Sequence, residues 1–157
     1  MNEVKGPFIM LIDKDGSVYL EDGLVLDRNT KAKEFFNASS PMFRGYINET
    51  GLGTLDSVGD VMDADGRKFK VSLLFDNWVL NEIVLLPVLD ESPLSRREAE
   101  LRRWATSEEI LHSLFGSPRK VAASWAEYGF DTFSISTWIS RNPIDPYSGG
   151  GICILYC

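Results

Sequence analysis

Histidine, cysteine and long apolar runs are scarce in this chain of 157 residues, and each scarcity excludes a class of function. The single histidine, His112, rules out a His pair or a His–Cys cluster as a metal site. Any Ser-His-Asp arrangement would have to use this one residue. His112 falls in the last turn of a predicted helix, where an imidazole interacts favourably with the helix dipole and the terminal carbonyls. That structural role is the favoured interpretation, and a general base is the alternative.

The two cysteines, Cys153 and Cys157, lie on one predicted strand. Their Cα atoms would be about 13 Å apart there, which is too far for a disulfide. Neither has a histidine or a basic cluster near it in sequence, so both are predicted to be free thiols in a reducing compartment. The apolar run at residues 8–12 is far shorter than a signal-peptide core or a membrane span. We therefore expect a cytoplasmic protein that does not cross a membrane.

Basic residues are also in the minority. The chain has 16 lysines and arginines against 23 acidic residues, which gives a net charge of −7. This charge disfavours nucleic-acid backbones and anionic membranes, and it favours a basic protein partner or simply solubility. With 44% hydrophobic residues, the chain is expected to bury a core as a single domain over residues 1–157 without disulfides or metals.

The strongest local signal is a long helix in the second half of the chain. Residues 95–98, Ser-Arg-Arg-Glu, form a capping box, and Gly116 and Pro118 predict the end of the helix just before them. A second capping box at residues 106–109 leaves open a bend, with a second helix from Ser107. Apolar residues at helical spacing predict the buried stripe, namely Leu101, Trp104, Leu111, Leu114 and Phe115.

Three antiparallel strands are predicted after this helix, at residues 121–128, 132–140 and 151–156. Side chains alternate between the two faces of a strand, so the middle strand should present one apolar and one polar face. The core face is predicted to carry Phe133, Ile135 and Ile139. The other face, which should be open, is predicted to carry Thr132, Ser134, Ser136 and Trp138.

The first half of the chain begins with a predicted hairpin at residues 8–20, followed by a short helix that ends near residue 39. Residues 40–53 have little periodicity and are predicted to be loop. Three extended segments follow, at residues 55–61, 67–75 and 80–86. The last of them is a nearly continuous apolar run and predicts a central strand that is covered on both faces.

Residues 27–87 and 95–157 thus share the order helix, strand, strand, strand, which suggests an internal duplication. The predicted fold is α+β, with one antiparallel sheet and the helices packed on one of its faces. The opposite face is then left to solvent or to a partner.

Two Asp-x-Asp-Gly turns, at residues 13–16 and 63–66, invite comparison with a calcium loop. With Gly16 or Gly66 at the sixth position, the first ligand and the bidentate glutamate are both missing, so hairpin turns are predicted instead. The three glycines at residues 149–151 precede a strand rather than a helix and do not predict a phosphate site. Accordingly, no residue is predicted to be catalytic, cofactor-binding or metal-binding.

Large aromatic residues at positions predicted to be exposed indicate a protein-binding surface. Trp138 belongs to the open sheet face, and Trp78 lies beside a turn, whereas Trp104 and Trp125 are assigned to the core. The alternative is that all the tryptophans belong to the core. The predicted partner-binding residues are Trp78, Asp131, Ser134, Ser136, Trp138 and Tyr147.

Residues 114–118, Leu-Phe-Gly-Ser-Pro, followed by Trp125 and the Tyr-Gly pair at 128–129, resemble repeats of the beta-lactamase inhibitor protein-like architecture. In those repeats a helix ends in a Leu-Gly-x-Pro-like turn before a meander that contains a tryptophan and a tyrosine. The resemblance implies that the free face of a curved sheet binds a partner protein, here through Ser134, Ser136 and Trp138. This chain lacks the inhibitor's disulfide-spaced cysteines and export signal, so the resemblance does not imply the same target.

The run Asp-Pro-Tyr-Ser-Gly-Gly at residues 145–150, which leads into Ile152, Ile154 and Tyr156, also resembles small bacterial immunity proteins that neutralise toxins. That resemblance implies a basic toxin as the partner, and opposite charge speeds encounter and improves selectivity. The alternative from another class is a small-molecule-binding protein or enzyme with a pocket between the sheet and residues 40–53.

Overall fold

The structure is a computed structural model that describes residues 8–39, 42–89, 95–122, 124–139 and 149–157. Within these ranges the chain forms a mixed α+β fold with two α-helices and twelve strands. The helices are α1 (Ala32–Ser39) and α2 (Arg96–Phe115). The strands are β1 (Phe8–Ile12), β2 (Val18–Leu20), β3 (Val25–Leu26), β4 (Phe43–Ile47), β5 (Gly53–Ser57), β6 (Val61–Met62), β7 (Lys68–Asp76), β8 (Val79–Pro87), β9 (Lys120–Ala122), β10 (Trp125–Gly129), β11 (Phe133–Trp138) and β12 (Ile152–Tyr156).

The strands form one largely antiparallel sheet in the order β3-β2-β1-β6-β7-β8-β12-β11-β10-β9. β5 and β6 share one edge of β7, and β4 pairs with β5 outside that path. Of the pairings between these strands, only that of β1 with β6 is parallel. The two halves of the chain meet where β8 pairs with β12.

Each half contains a four-stranded meander, where three strands were predicted. α1 is followed by β4, β5, β7 and β8, and α2 by β9 to β12. The prediction of loop for residues 40–53 was wrong because β4 lies there. Its periodicity is hidden by Gly45 and Gly53, where a side chain would collide with the backbone of the neighbouring strand. The internal duplication itself stays a prediction.

The core follows the alternation that the sequence predicts for β7. Its buried residues, each exposed by 1% or less, are Phe69, Val71, Leu73 and Phe75. In β8, by contrast, the prediction of burial on both faces was wrong. Ile83 and Leu85 are buried, whereas Glu82, Val84 and Leu86 remain half-buried on the other face. The apolar run at residues 80–86 is nearly continuous because apolar residues occupy both faces of β8, but only one of these faces packs in the core.

Both helices contribute side chains to this core. Phe35 of α1 packs edge-on against Phe43, with ring centroids 5.4 Å apart, and Ile110 and Leu111 of α2 join the same cluster of buried residues. The placement of both helices on one face of the sheet stays a prediction.

α2 is a single continuous helix with the predicted ends. The Ser95 hydroxyl accepts a hydrogen bond from the Glu98 amide at 3.1 Å, and Gly116 ends the helix with a φ of 76°. No second helix begins at Ser107, because α2 continues through it and the Thr106 hydroxyl donates to the Arg102 carbonyl at 3.2 Å instead of capping a new helix. The Ser107 hydroxyl donates to the Gly150 carbonyl at 2.6 Å.

The buried stripe of α2 also differs from the prediction. Leu101 is 43% exposed, although its helical spacing placed it in the core. The buried residues are Ala99, Glu100, Ser107, Ile110 and Leu111. Small and polar residues enter the stripe because the glycine loop at residues 149–150 packs against this part of the helix, which the spacing of apolar residues does not reveal.

The N-terminal hairpin is packed on the second half of the chain. Its turn contains Gly16, with a φ of 84°, and a Cβ atom at this position would lie 2.6 Å from the ring of Phe133. The Tyr156 hydroxyl donates to the Gly16 carbonyl at 2.7 Å. Strands near the two ends of the sequence are therefore held together through this turn.

Replacement of Gly16 by alanine should destabilise the protein more than the same change at Gly66. Both residues close an Asp-x-Asp-Gly turn, and their φ angles of 84° and 82° impose the same left-handed strain on alanine. Nothing lies within 4 Å of a Cβ atom at Gly66, whereas at Gly16 it would meet Phe133. We expect Gly16→Ala to lower the free energy of unfolding by about 1–3 kcal/mol more than Gly66→Ala in urea denaturation. Equal losses would contradict the packing of the hairpin on Phe133.

Candidate functional site

The structure separates the five predicted site residues that it describes. Three of them share one face of β11, namely Ser134, Ser136 and Trp138. Asp131 is exposed in the turn before β11, and Trp78 lies in the turn between β7 and β8. Tyr147 lies outside the described residues. Ser134, Ser136 and Trp138 are therefore neighbours on β11, as the alternation predicted. Trp78 belongs to a different surface.

Trp138 has a partner that the sequence analysis missed. In the antiparallel pair of β10 and β11 it stands opposite Trp125, and both tryptophans are half-buried. Directly opposed residues have their Cβ atoms about 4.5–5.5 Å apart, so the two indoles are neighbours on one face. The assignment of Trp125 to the core was wrong because Ala126 and Tyr128 take the core positions of β10. Their alternation was the signal that should have placed Trp125 on the other face.

Strand register extends this surface across the sheet. One row runs from Glu127 through Ser136 and Cys153 to Val84, since these residues are directly opposed in successive strand pairs. A parallel row runs from Ser134 through Leu155 to Glu82. We call this surface the open face; its residues are Lys120, Trp125, Glu127, Ser134, Ser136, Trp138, Cys153, Leu155, Glu82, Val84 and Leu86.

Two of the three charged residues of the open face are acidic, and the third, Lys120 of β9, lies directly opposite Glu127. Glu82 accepts a hydrogen bond from the Cys153 thiol at 2.8 Å, and Glu127 lies opposite Ser136. Beside the face, Lys70 is ion-paired with Asp60 at 2.8 Å, which offsets its charge. Leu155, 41% exposed, lies between Ser134 and Glu82 in the second of these rows. The open face thus combines aromatic, aliphatic and acidic groups with a single lysine.

Trp78 lies beside α1, at the opposite end of the sheet from Trp125. Its positive φ of 68° follows one of 52° at Asn77, and the turn is fixed because the Trp78 carbonyl accepts from the Ala32 amide at 2.8 Å. The ammonium group of Lys33 lies 4.8 Å from the centre of the Trp78 ring, which is within the range of a cation–π interaction.

A cavity of about 360 Å³ opens beside Trp78, between α1 and the strands β4 and β5. Tyr46 and Phe36 are exposed by 75% and 42% on its rim. We call it the α1 groove; it is lined by Ala32, Lys33, Phe36, Asn37, Gly45, Tyr46, Ile47, Leu55 and Trp78. Of its aromatic residues, Trp78 was a predicted site residue, whereas Phe36 and Tyr46 were not; Tyr46 was missed because loop was predicted for the segment that forms β4.

The groups with potential for acid–base or nucleophilic chemistry do not converge in the described residues. His112 is exposed in the last turn of α2, as predicted, and its carbonyl accepts from the Gly116 amide at 2.9 Å. Burial, followed by the Glu82 carboxylate, raises the pKa of the Cys153 thiol well above its usual value. Burial, followed by the carboxylates of Asp27 and Asp15, likewise raises the pKa of the Tyr156 hydroxyl. Neither group is activated as a nucleophile or base.

No protein-family model, curated protein or solved structure shows a significant match to this chain. In the part of the chain that the structure describes, neither helix has the length and apolar character needed to cross a membrane.

Cys153 should react with iodoacetamide far more slowly than Cys157 at pH 8. Its raised pKa keeps the thiol protonated at this pH, and each unit of pKa lowers the thiolate fraction about tenfold. Cys157 is exposed, whereas Cys153 is half-buried. The variants Cys157→Ser and Cys153→Ser each retain one thiol, so mass spectrometry of the labelled protein gives both rates.

Glu82→Gln serves as the control in the Cys157→Ser background. It removes the negative charge beside the Cys153 sulfur and should therefore lower the pKa of the thiol and raise the labelling rate. Equal rates for the two cysteines, or no effect of Glu82→Gln, would contradict this account of Cys153.

Proposed function

We propose that this chain is a protein-binding module that engages a basic partner through its open face. The observation that carries the proposal is the pair Trp125 and Trp138, which stand side by side on the face of the sheet away from the core. Tryptophan is enriched among the residues that contribute most to protein interfaces. Ser134 and Ser136 beside them are small, so a partner side chain can approach the indole rings closely.

The width of the sheet suits a protein partner. Eight strands, in the order β9-β10-β11-β12-β8-β7-β5-β4, lie side by side. At a strand spacing of about 4.8 Å their axes span roughly 34 Å. A stable interface buries about 800 Å² on each partner, and a partner of that size would extend from the tryptophan pair across several of these strands.

Charge supports a basic partner. The chain carries a net charge of −7, and the open face itself carries two acidic residues, Glu82 and Glu127, against one lysine, Lys120. Opposite charge on a partner would raise the rate of encounter and disfavour acidic competitors. We propose that the partner is a basic toxin and that the chain acts as an immunity protein in a reducing cytoplasm, where Cys153 and Cys157 stay as free thiols.

Replacement of both Trp125 and Trp138 by alanine should abolish binding of the partner without unfolding the chain. Affinity capture from the source organism and its close relatives, at low and moderate salt, would isolate the partner. Titration calorimetry of the purified pair should then show each single replacement to weaken binding by about thirtyfold, which corresponds to ~2 kcal/mol. Raising the salt concentration should weaken the wild-type complex mainly through a slower association.

The matched control is Phe36→Ala with Tyr46→Ala, which removes two exposed aromatic side chains from the α1 groove instead. This variant should bind as the wild type does. Loss of binding in the control but not in the tryptophan variant would place the interface at the groove. A collapse of the thermal unfolding transition in Trp138→Ala would assign Trp138 to the core.

The immunity role is tested separately, in cells that express the captured partner. Co-expression of the wild-type chain should relieve growth arrest, and the double tryptophan variant should not. A partner that binds through the open face but does not arrest growth would retain the binding proposal and refute the toxin assignment.

A second candidate function is the binding of a small aromatic anion in the α1 groove. The Lys33 ammonium above the Trp78 ring carries it, because it places one positive charge at an aromatic cavity of about 360 Å³. Such a volume lies within the usual range for small-molecule pockets. Among the described lining residues there is neither a histidine nor a cysteine, so the groove favours binding rather than catalysis.

Anilinonaphthalene sulfonate, which joins an aromatic ring system to an anionic group, should bind in this groove with a rise in fluorescence. Lys33→Gln should weaken binding by about threefold to tenfold, since the cation is lost while the aromatic wall remains. Lys14→Gln, at an exposed position in the β1–β2 turn, is the matched control and should have no effect. Equal affinities for the wild type and Lys33→Gln would contradict the role of the cation.

A further inference from the structure

A second cavity, of about 180 Å³, lies between α2 and the strands β9 to β11, apart from the open face and the α1 groove. It is on the core side of β10 and β11, since Ala126 and Thr137 line it and both are buried. Val121, 69% exposed, and the exposed side chain of Glu108 also line it, so the cavity reaches solvent on that side.

Two polar atoms at this cavity have no hydrogen-bond partner. They are Trp104 Nε1 and Thr137 Oγ1, both buried, and they belong to two residues of the cavity wall. Among the described residues, no other buried side-chain nitrogen or oxygen lacks a hydrogen-bond partner. Buried polar atoms are nearly always paired, because an unpaired one loses its hydration without compensation. A molecule bound in the cavity would supply the hydrogen bonds that these two atoms lack.

Two other hydroxyl groups near this part of α2 have hydrogen-bond partners within the chain. Ser107, like Thr137, has no exposed surface, but its hydroxyl donates to the Gly150 carbonyl at 2.6 Å. The Tyr128 hydroxyl, at the same cavity, donates to the Gly116 carbonyl at 2.9 Å. Trp104 and Thr137 are therefore the wall residues that still have hydrogen-bonding capacity at buried atoms.

We propose that this cavity binds a small uncharged molecule with an amide group. An indole N–H can only donate, so the ligand must present an acceptor oxygen to Trp104, and the Thr137 hydroxyl can donate to that oxygen as well. The outer wall also carries Glu108 and His112. The Glu108 carboxylate accepts hydrogen bonds and repels anions, and His112 beside it can accept or donate one, so the wall favours an amide over a carboxylate. A volume of about 180 Å³ holds roughly six water molecules at liquid density, which sets the size of the ligand.

Titration with isobutyramide, followed by NMR of the indole N–H groups, tests the proposal. The chain has four tryptophans, and Trp104→Phe identifies the signal of Trp104 by its disappearance. We expect a saturable downfield shift of that signal as the amide oxygen accepts the indole hydrogen. Isobutyrate, with the same carbon skeleton and a negative charge, should bind at least several-fold more weakly.

Three variants make the test specific. Thr137→Val keeps the shape of the side chain and removes the hydroxyl, so it should weaken amide binding about tenfold. Its melting temperature should equal or exceed that of the wild type, whereas Ser107→Ala, which leaves the Gly150 carbonyl unpaired, should melt at a lower temperature. Val121→Trp enlarges an exposed side chain at the wall and should block binding with folding intact.

The proposal is overturned if isobutyramide leaves the Trp104 signal unmoved. It is equally overturned if the shift is the same in Thr137→Val, since the ligand would then not contact both polar groups. Cross-relaxation between the Trp104 indole hydrogen and water that persists at high amide concentration would identify a water-filled cavity and also refute it.

Discussion

The pairing of β8 with β12 is the constraint on which the rest of the structure depends. It joins the two meanders into one sheet, with Leu85 opposite Ile152 and Ile83 opposite Ile154. All four of these side chains are buried, so the register is fixed by the core. A slip of one residue would turn Ile152 and Ile154 out of the core and would break the rows that define the open face. The continuity of the open face is thus a consequence of core packing between the halves.

Tight packing of the glycine loop on α2 explains the unusual buried face of this helix. A side chain at Gly149 or Gly150 would collide with Glu100 or Arg103, so the loop approaches the helix more closely than other residues allow. The polar groups that this contact buries are paired. Arg103 Nε donates to the Gly149 carbonyl at 3.1 Å, and Glu100 forms an ion pair with Arg97 at 2.8 Å. Trp104, one turn further along, belongs to this contact through its backbone, since a Cβ atom at Gly150 would lie 3.0 Å from its amide nitrogen, and it also lines the cavity.

The parts of the fold that the sequence predicted correctly depend on local interactions. The ends of α2 are set by Ser95 and Gly116, whose hydrogen bonds lie within one helical turn. The core face of β7 follows from alternation within a single strand. The parts that were missed depend on other strands: β4 is recognisable only through its pairing with β5, because Gly45 and Gly53 carry no side chain to show the pattern.

The prediction of the site was wrong where it relied on the type of a residue rather than on the position of that residue in its strand. Trp125 was assigned to the core because tryptophan is large and apolar, although Ala126 and Tyr128 already occupied the core positions of the same strand. Trp78 was grouped with Trp138 because both were expected to be exposed, and one sequence cannot show that β11 and the β7–β8 turn lie in different parts of the sheet. Neither of the two cavities has a contiguous motif, since helix and strand residues far apart in sequence line each one.

Alternation in β11 makes the proposed protein interface and the proposed cavity separable. Thr137 and Trp138 are neighbours in sequence but point to opposite sides of the sheet, the first into the core and the second to the open face. A conservative change at Thr137 alters the hydrogen-bonding groups of the cavity and leaves the indole of Trp138 in place. Truncation of Trp138 removes surface from the open face without changing the cavity wall. Because the two sites share a strand but no side chain, a variant that affected both would act through displacement of β11 itself.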